Sequence, residues 1–477
     1  MDLRLFKLYK IPILLALSCV AFYFSFAYGL NRADFFKLIS LYAALCFLSF
    51  KLVQILKTDL RLLTGLAIIF RLVFILALPN LSQDYFRFIW DGRLIAAGWN
   101  PYQYIPDELI GLENFKIPQA RELIAGMGSL SAGNFSNYPP LNQLIFAVAG
   151  WISSSSILGS VIVFRLFIIL ADIGTLIFGR KLLNSMGLPE HRIFWYILNP
   201  FIIIEMTGNL HFEAVMVFLL VLSVYLLHKG KWFWSAVILG MSVSVKLLPL
   251  MFLPLLFRYF IKASTSFSRT NQSNENINSI KTSYPERSRR MDGFWRLLLY
   301  YVVCISTVLI SFLPFYSEEV VSNFLSSVGL WFGKFEFNAS IYYIVRWFGF
   351  QVKGYNIIET AGKVLPIITI LIILGLSFFR RYRNTKQLIT NMLLAVTAYL
   401  LLSTTVHPWY LAIPLLLSLF TGIRYVLVWT VVVMLSYYAY SNPEYNESMW
   451  LLAMEYVIVF FFLVKDLFKQ AKPSPAY

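Results

Sequence analysis

The sequence predicts an all-α polytopic membrane protein with about 14 transmembrane helices and one large external loop that carries interfacial helices. Three observations predict it. Of the 477 residues, 59% are hydrophobic and only 13% charged, against about 25% charged in a soluble domain. Apolar runs long enough to cross a bilayer recur from end to end. Basic residues gather in alternate loops, the mark of cytoplasmic connections. This composition excludes a disordered chain, a disulfide scaffold and an ordinary cytosolic enzyme. The three cysteines, Cys19, Cys46 and Cys304, lie in apolar runs without a CxxC pair, so they point to neither disulfide nor metal. A net charge of +16 in a soluble protein would suggest nucleic acid. Here it is read as membrane orientation, and no nucleic-acid partner is expected.

The elements follow in order. Residues 11–30 carry no charge and stand behind Arg4, Lys7 and Lys10. More spans come at once, so this is a first helix rather than a cleaved signal. With 36–56 it makes two N-terminal helices over residues 1–60. A second module, 61–261, has spans near 62–80, 161–180, 193–208, 212–228, 232–248 and 249–261. A third, 294–477, has spans near 295–315, 361–380, 388–404, 409–421, 426–440 and 450–466. Between them, 262–293 is rich in Ser, Asn, Thr and Arg and reads as a disordered cytoplasmic linker; its part 284–292 resembles a translated genomic repeat. The stretch 138–152 is apolar enough to span. If it spanned, every later basic loop would be inverted. Laid along the outer face, it leaves roughly 27 of the 40 Lys+Arg in the cytoplasm. Both termini are therefore expected inside and the loop 81–160 outside. That loop exceeds the ~12–15 residues of an ordinary connection and is too aromatic for disorder, so it is read as functional.

The residues able to do chemistry cluster on the same side. The outer end of the third span reads Ser82-Gln-Asp-Tyr-Phe-Arg-Phe-Ile-Trp-Asp-Gly92. As a helix it puts Asp84, Arg87, Phe88 and Asp91 on one face, at the membrane boundary. A solvated polar face with an i, i+3 ion pair is an equally good reading of the spacing alone. Asn100 and Tyr102 follow in an aromatic turn, and Tyr138 precedes Pro139-Pro140, suited to a helix's first turn. Asn209, His211 and Glu213 share a connection in which both His and Glu can reach a sugar or a metal, although no full ligand set is visible. No cofactor is expected, and a divalent metal is left open. Lys246 breaks the positive-inside pattern at an outer helix end. Its charge suits a lipid phosphate, and snorkelling to the interface is the plainer alternative. Asn338 stands with Glu336, Ser340, Tyr342 and Tyr343, and His407 with Trp409 and Tyr410. Asp172 and Glu205, inside spans, read first as structural, with Arg165 near Asp172. A transporter would instead carry its polar groups near the midplane, often in related halves, and no internal repeat is present. There is no P-loop, no GxGxxG before a strand and no room for a cytoplasmic nucleotide domain.

These pieces resemble the GT-C superfamily of glycosyltransferases: Asp84-Tyr85, Asn100-Pro101-Tyr102, Tyr138-Pro139-Pro140-Leu141, Asn209/His211/Glu213, Lys246 with Pro249, Phe337-Asn338-Ala339-Ser340 and His407-Pro408-Trp409-Tyr410. The likeness is above all to bacterial membrane mannosyltransferases, and more distantly to the GPI mannosyltransferase I catalytic subunit. It covers about residues 62–410; the two N-terminal helices and the insert near 262–293 depart from the pattern and are expected not to touch the site. The resemblance implies a GT-C-like helical bundle in a bacterial plasma membrane, with its site facing the exterior. The implied reaction is an inverting transfer of a sugar, mannose by family default, from a polyprenyl-phosphate donor to a glycan or lipid-linked acceptor. It makes Asp84 the general base, with Asp91 in reserve. Lys246 and His407 would neutralise the leaving phosphate, and His211 and Glu213 would bind sugar hydroxyls. Arg87, Asn100, Tyr138, Asn209, Asn338 and Tyr410 complete the expected binding set, and Trp90, Trp99 and Tyr102 would stack on the acceptor. A carboxylate near low dielectric is raised in pKa while a nearby Arg lowers it, and the sequence does not say which wins. Two other functions stay open: a lipid-linked glycan polymerase or ligase, and a non-enzymatic flippase.

Overall fold

The computed structural model describes residues 3–261, 286–333, 335–380 and 384–471. These are almost wholly helical. The only strand-like pairing among them is a bridge between Phe337 and Thr405. Most of the predicted linker therefore lies outside the described residues. Its last part is helical, because Glu286–Phe312 is one continuous helix.

Six helices among the described residues are long and apolar enough to cross a membrane: Tyr9–Gly29, Phe35–Ile55, Ile157–Ser185, Asp292–Phe315, Ile358–Phe379 and Thr385–Leu402. A seventh is counted if the bent pair Pro200–Gly208 and Glu213–His228 forms one span. The molecule is a helical membrane protein, but this is not the expected fourteen. Several expected spans are too short. Leu60–Leu72 and Trp232–Val245 have 13 and 14 residues, about 20 Å each, against a hydrocarbon core of about 30 Å. Residues 248–252 form only a tight 3₁₀ turn that contains Pro249. Met449–Ala471 is 23 residues long but carries Glu455, Lys465, Asp466 and Lys469. Apolar composition marks the short pieces, but it does not give them the length of a span.

Buried polar contacts lock the interior. Arg71 pairs with Asp172 at 2.8 Å, joining helix Leu60–Leu72 to Ile157–Ser185. Arg165 is not the partner of Asp172. Its guanidinium donates to the carbonyls of Thr207, Gly208 and Ile75 at 2.8–3.1 Å. Those carbonyls need it, because the chain runs through a widened π-helical turn at Ile203–Gly208 and then bends by 116°. Such turns leave backbone groups without their usual partners.

The large loop folds into four short helices: Asp84–Ala96, Pro106–Leu109, Ala120–Ala132 and Pro140–Ile152. The last has 13 residues, about 20 Å, and packs on Asp84–Ala96 rather than crossing alone. Glycines permit that packing. A Cβ on Gly92 would lie 2.1 Å from the Phe146 carbonyl oxygen, and one on Gly150 would lie 2.3 Å from the Gly92 carbonyl oxygen. The two backbones touch directly, as small residues allow between membrane helices.

Candidate functional site

Each part of the site sits where a helix begins or breaks. Asp84 occupies the first turn of its helix, where a carboxylate is favoured by the macrodipole. Its backbone N–H donates to the Ser82 hydroxyl at 3.3 Å. Asn209, His211 and Glu213 fall at the 116° bend, with Leu210 in the left-handed region at φ 63°. Lys246 is the first residue past helix Trp232–Val245, with extended backbone. The Phe337–Thr405 bridge sets the 337–340 loop beside His407; the Phe337 N–H donates to the Thr404 oxygen at 3.1 Å, and the Val406 N–H donates to the Phe337 oxygen at 2.8 Å.

Asp84, Arg87, Tyr138, His211, Glu213, Lys246, His407 and Tyr410 line one cavity of about 840 Å³. Lys246 forms an ion pair with Glu213 and lies 4.8 Å from the centre of the Tyr410 ring. His211 and His407 both stack on Trp409, at 3.8 and 4.4 Å between ring centres. The buried Nδ1 of His211 bonds the Glu205 carbonyl oxygen at 2.9 Å, and its Nε2 has no partner among the described residues. Glu205 is itself held by Tyr437, whose hydroxyl donates at 2.8 Å. Away from this polar end, Leu248, Met251, Leu365, Pro366, Ile370 and Ile373 give the cavity an apolar wall.

Burial raises the pKa of Asp84, and the carboxylate of Glu213 adds to the rise; His211 and Lys246 oppose it and do not win. Arg87 is not among these opposing groups, since Asp91 engages it. Burial, helped by Lys246 and His211, pushes His407 down to about 3. His407 is therefore neutral at working pH and does not neutralise a phosphate by charge.

The other expected residues are placed differently. Asp91 is fully buried and outside the cavity. It accepts from Arg87 at 2.8 Å, Ser136 at 2.6 Å and Gln143 at 2.9 Å. As a reserve base it has nowhere to receive a proton from a substrate. The expected i, i+3 surface pair is in fact a buried i, i+4 pair. Asn100 donates to the Phe315 carbonyl oxygen at 2.8 Å and Tyr102 to that of Tyr138 at 2.6 Å. The first pins the loop to the turn Leu313–Phe315 that continues helix Glu286–Phe312, and the second ties two parts of the loop together. Trp90 is buried, and Trp99 packs on Tyr104 and Phe115. None of Trp90, Trp99 and Tyr102 lines the cavity, so they are not an acceptor platform. Asn209 donates to Glu205 at 3.4 Å, behind the cavity wall. Asn338, at φ 47°, belongs to a separate buried cluster. Its N–H donates to Glu447 at 2.6 Å and its side chain to Glu455 at 3.3 Å.

Arg32 was not anticipated. It lines the cavity from the turn between the first two helices, so the N-terminal pair does reach the site. The signal was present: on the expected topology Arg32 is an outer basic residue, the same exception that singled out Lys246. Trp409, Tyr440 and Tyr445 also line the cavity. Among the described residues no group of three His, Cys, Asp or Glu side chains is arranged to hold a metal ion.

A family model described as alpha-(1->6)-mannopyranosyltransferase, N-terminal domain, matches residues 32–262. The match begins at Arg32, so the second N-terminal helix lies within the family pattern rather than before it. The chain is 20% identical over 358 residues to alpha-(1->6)-mannopyranosyltransferase A of Mycobacterium tuberculosis, covering 72% of this chain and 61% of that protein. It is 28% identical over 148 residues to alpha-(1->6)-mannopyranosyltransferase B of Corynebacterium glutamicum, covering 31% of this chain and 23% of the relative. It thus spans less than two thirds of the length of either. These matches bear out the resemblance to bacterial membrane mannosyltransferases of the GT-C type.

Proposed function

We propose that the protein is an inverting glycosyltransferase that moves mannose from a polyprenyl-phosphate donor to a glycan or lipid-linked acceptor at the outer membrane face. One observation carries this reading. A single cavity joins an ionisable carboxylate, Asp84, to a cationic and aromatic polar end and to an apolar wall on helix Ile358–Phe379. A polar sugar phosphate on a long apolar tail needs both surfaces at once. The names of the relatives supply the sugar, and the distribution of basic loops supplies the face.

In the reaction Asp84 accepts the proton of the acceptor hydroxyl as its oxygen attacks the anomeric carbon. The bond from that carbon to the phosphate oxygen breaks with its electron pair, and polyprenyl phosphate leaves. A raised pKa makes Asp84 a stronger base than an ordinary carboxylate. Lys246, held by Glu213 over Tyr410, offers N–H donors to the developing charge. His211 presents its free Nε2 to sugar hydroxyls, and neutral His407 serves as a polar ring rather than a cation. The test is transfer from synthetic polyprenyl-phosphate-mannose by the purified chain, wild type against Asp84→Asn. Full transfer by the variant removes Asp84 from its role. A wild-type protein that moves lipid-linked sugar across vesicles without forming a glycosidic bond would be a flippase instead.

A further inference from the structure

We propose that Arg32 is a donor-binding residue whose guanidinium takes the phosphate of the lipid-linked sugar, which makes the first helical turn part of the site. The inference rests on the transferase reading above and names a group that neither the expected motif set nor the relatives' names assign. Among the described residues, three cations line the cavity: Arg32, Arg87 and Lys246. Arg87 is bound to Asp91 and Lys246 to Glu213. Among the described residues, Arg32 has only neutral partners. Its Nη2 donates to the Tyr445 hydroxyl at a long 3.4 Å, and its guanidinium carbon lies 5.2 Å from the centre of the Tyr440 ring. Among the described residues no carboxylate forms an ion pair with it.

The reaction contains one obligatory anion. The phosphate begins as a singly charged diester and gains charge as its bond to the sugar breaks. A neutral sugar acceptor has no use for a free cation. A planar guanidinium matches two phosphate oxygens at once, and the Tyr440 face orients it without spending its charge.

The turn that carries Arg32 is built to hold it. Asn31 accepts from the Ala33 N–H at 3.0 Å through its side chain and from the Asp34 N–H at 2.9 Å through its carbonyl. Asp34 caps helix Phe35–Ile55 by accepting from the Lys37 N–H at 3.1 Å. The Lys37 ammonium returns to the Gly29 carbonyl oxygen at 2.6 Å. A backbone fixed this way loses little freedom when the ligand binds.

The test uses the full chain in lipid nanodiscs as wild type, Arg32→Gln and Arg32→Lys. Donor and acceptor concentrations are varied separately with polyprenyl-phosphate-mannose. Arg32→Gln should raise donor KM by about tenfold or more and leave acceptor KM unchanged, with Arg32→Lys intermediate. Inhibition by polyprenyl phosphate should weaken in parallel, while inhibition by polyprenol should not change. An unchanged donor KM, or a rise in acceptor KM alone, overturns the assignment. Inorganic phosphate that inhibits as well as polyprenyl phosphate would move Arg32 to a site for a free anion and overturn the lipid source. If wild type forms no glycosidic bond, the transferase reading fails by itself. Direct binding of polyprenyl phosphate, compared between wild type and Arg32→Gln, then decides Arg32 separately. Arg32→Lys keeps the charge, so a shared loss of donor affinity in both variants, with unchanged melting temperature, would point to fork geometry rather than to folding.

Discussion

Asp84 and Asp91 lie on one helix about two turns apart, and their surroundings could hardly differ more. Asp91 is fully buried: Arg87, Ser136 and Gln143 donate to it, and it does not line the cavity that holds Asp84. Asp84 faces open space, with Lys246 and His211 near enough to feel its charge and neither bound to it. The first arrangement spends a carboxylate on stability. The second leaves one with the Ser82 hydroxyl beside it and its face to the cavity, at a cost in stability, where a substrate can complete it. What separates the two carboxylates is the set of donors already attached, which residue spacing does not encode.

The largest expected effect breaks the Asp84 side of this contrast. Asp84→Asn should lower transfer by about 10²–10⁴-fold, the usual contribution of a positioned base, while its melting temperature at neutral pH stays level or rises. Because burial raises the native pKa, the stability tied to this group is complete below its unfolded value of about 3.9 and is lost as pH rises through the raised native value. Catalysis needs the ionised form, so activity appears over the interval in which that stability disappears. The acid limb of kcat/KM in wild type should therefore lie above the ordinary carboxylate range. A limb near 3.9 would show that burial does not govern the site.

Asp91→Ala breaks the other side. It strands the buried Arg87, whose Nη1 also holds the Ser131 and Asn134 carbonyl oxygens at 2.6 and 2.9 Å. Loss of one partner from such a pair costs about 3–5 kcal/mol, read by denaturant or thermal unfolding in detergent. The double variant Asp91→Ala/Arg87→Met should recover part of the loss; no recovery would mean that Asp91 acts through Ser136 and Gln143 instead. Gly150→Ala should follow at about 1–3 kcal/mol, since its Cβ would press on the Gly92 carbonyl and push apart the two helices that carry this contrast. Because Asp84 rides on the displaced helix, transfer should fall with stability. Unchanged transfer would uncouple the helix contact from the site.

The sequence carried the helical class, the loop and the gathering of Asp84, His211, Glu213, Lys246, His407 and Tyr410, because apolar runs and misplaced polar residues leave a one-dimensional trace. It did not carry which of two carboxylates was already hydrogen-bonded, since Ser136 and Gln143 approach Asp91 from 45 and 52 residues away. Tyr102 and Asn100 were read as ligand contacts for the same reason: a side chain that pins a loop and one that holds a sugar have the same composition. The span count failed where short apolar segments, such as the two sides of the bend after Gly208 and the turn at Pro249, were each counted as a full span, although none is long enough to cross alone. Arg32 was readable by the rule that drew attention to Lys246, but it lay in helices that resembled an appendage.

The smallest expected effect sharpens the contrast inside the cavity. His407 touches the same space as Asp84, yet burial, Lys246 and His211 hold its pKa down to about 3, so it stays neutral throughout the range in which Asp84 ionises. Its contribution is the stacked face it lends to Trp409, at 4.4 Å and 7° between the rings, together with its contact with Phe337 at 5.2 Å. His407→Gln keeps a polar group and loses the ring, at about 0.5–1.5 kcal/mol of stability. Transfer should drop less than in Asp84→Asn, and the acid limb should stay where wild type has it, because the titrating group is untouched. If the limb moves in His407→Gln, the imidazole shares the proton with Asp84, and the division between a charged base and a neutral ring does not hold.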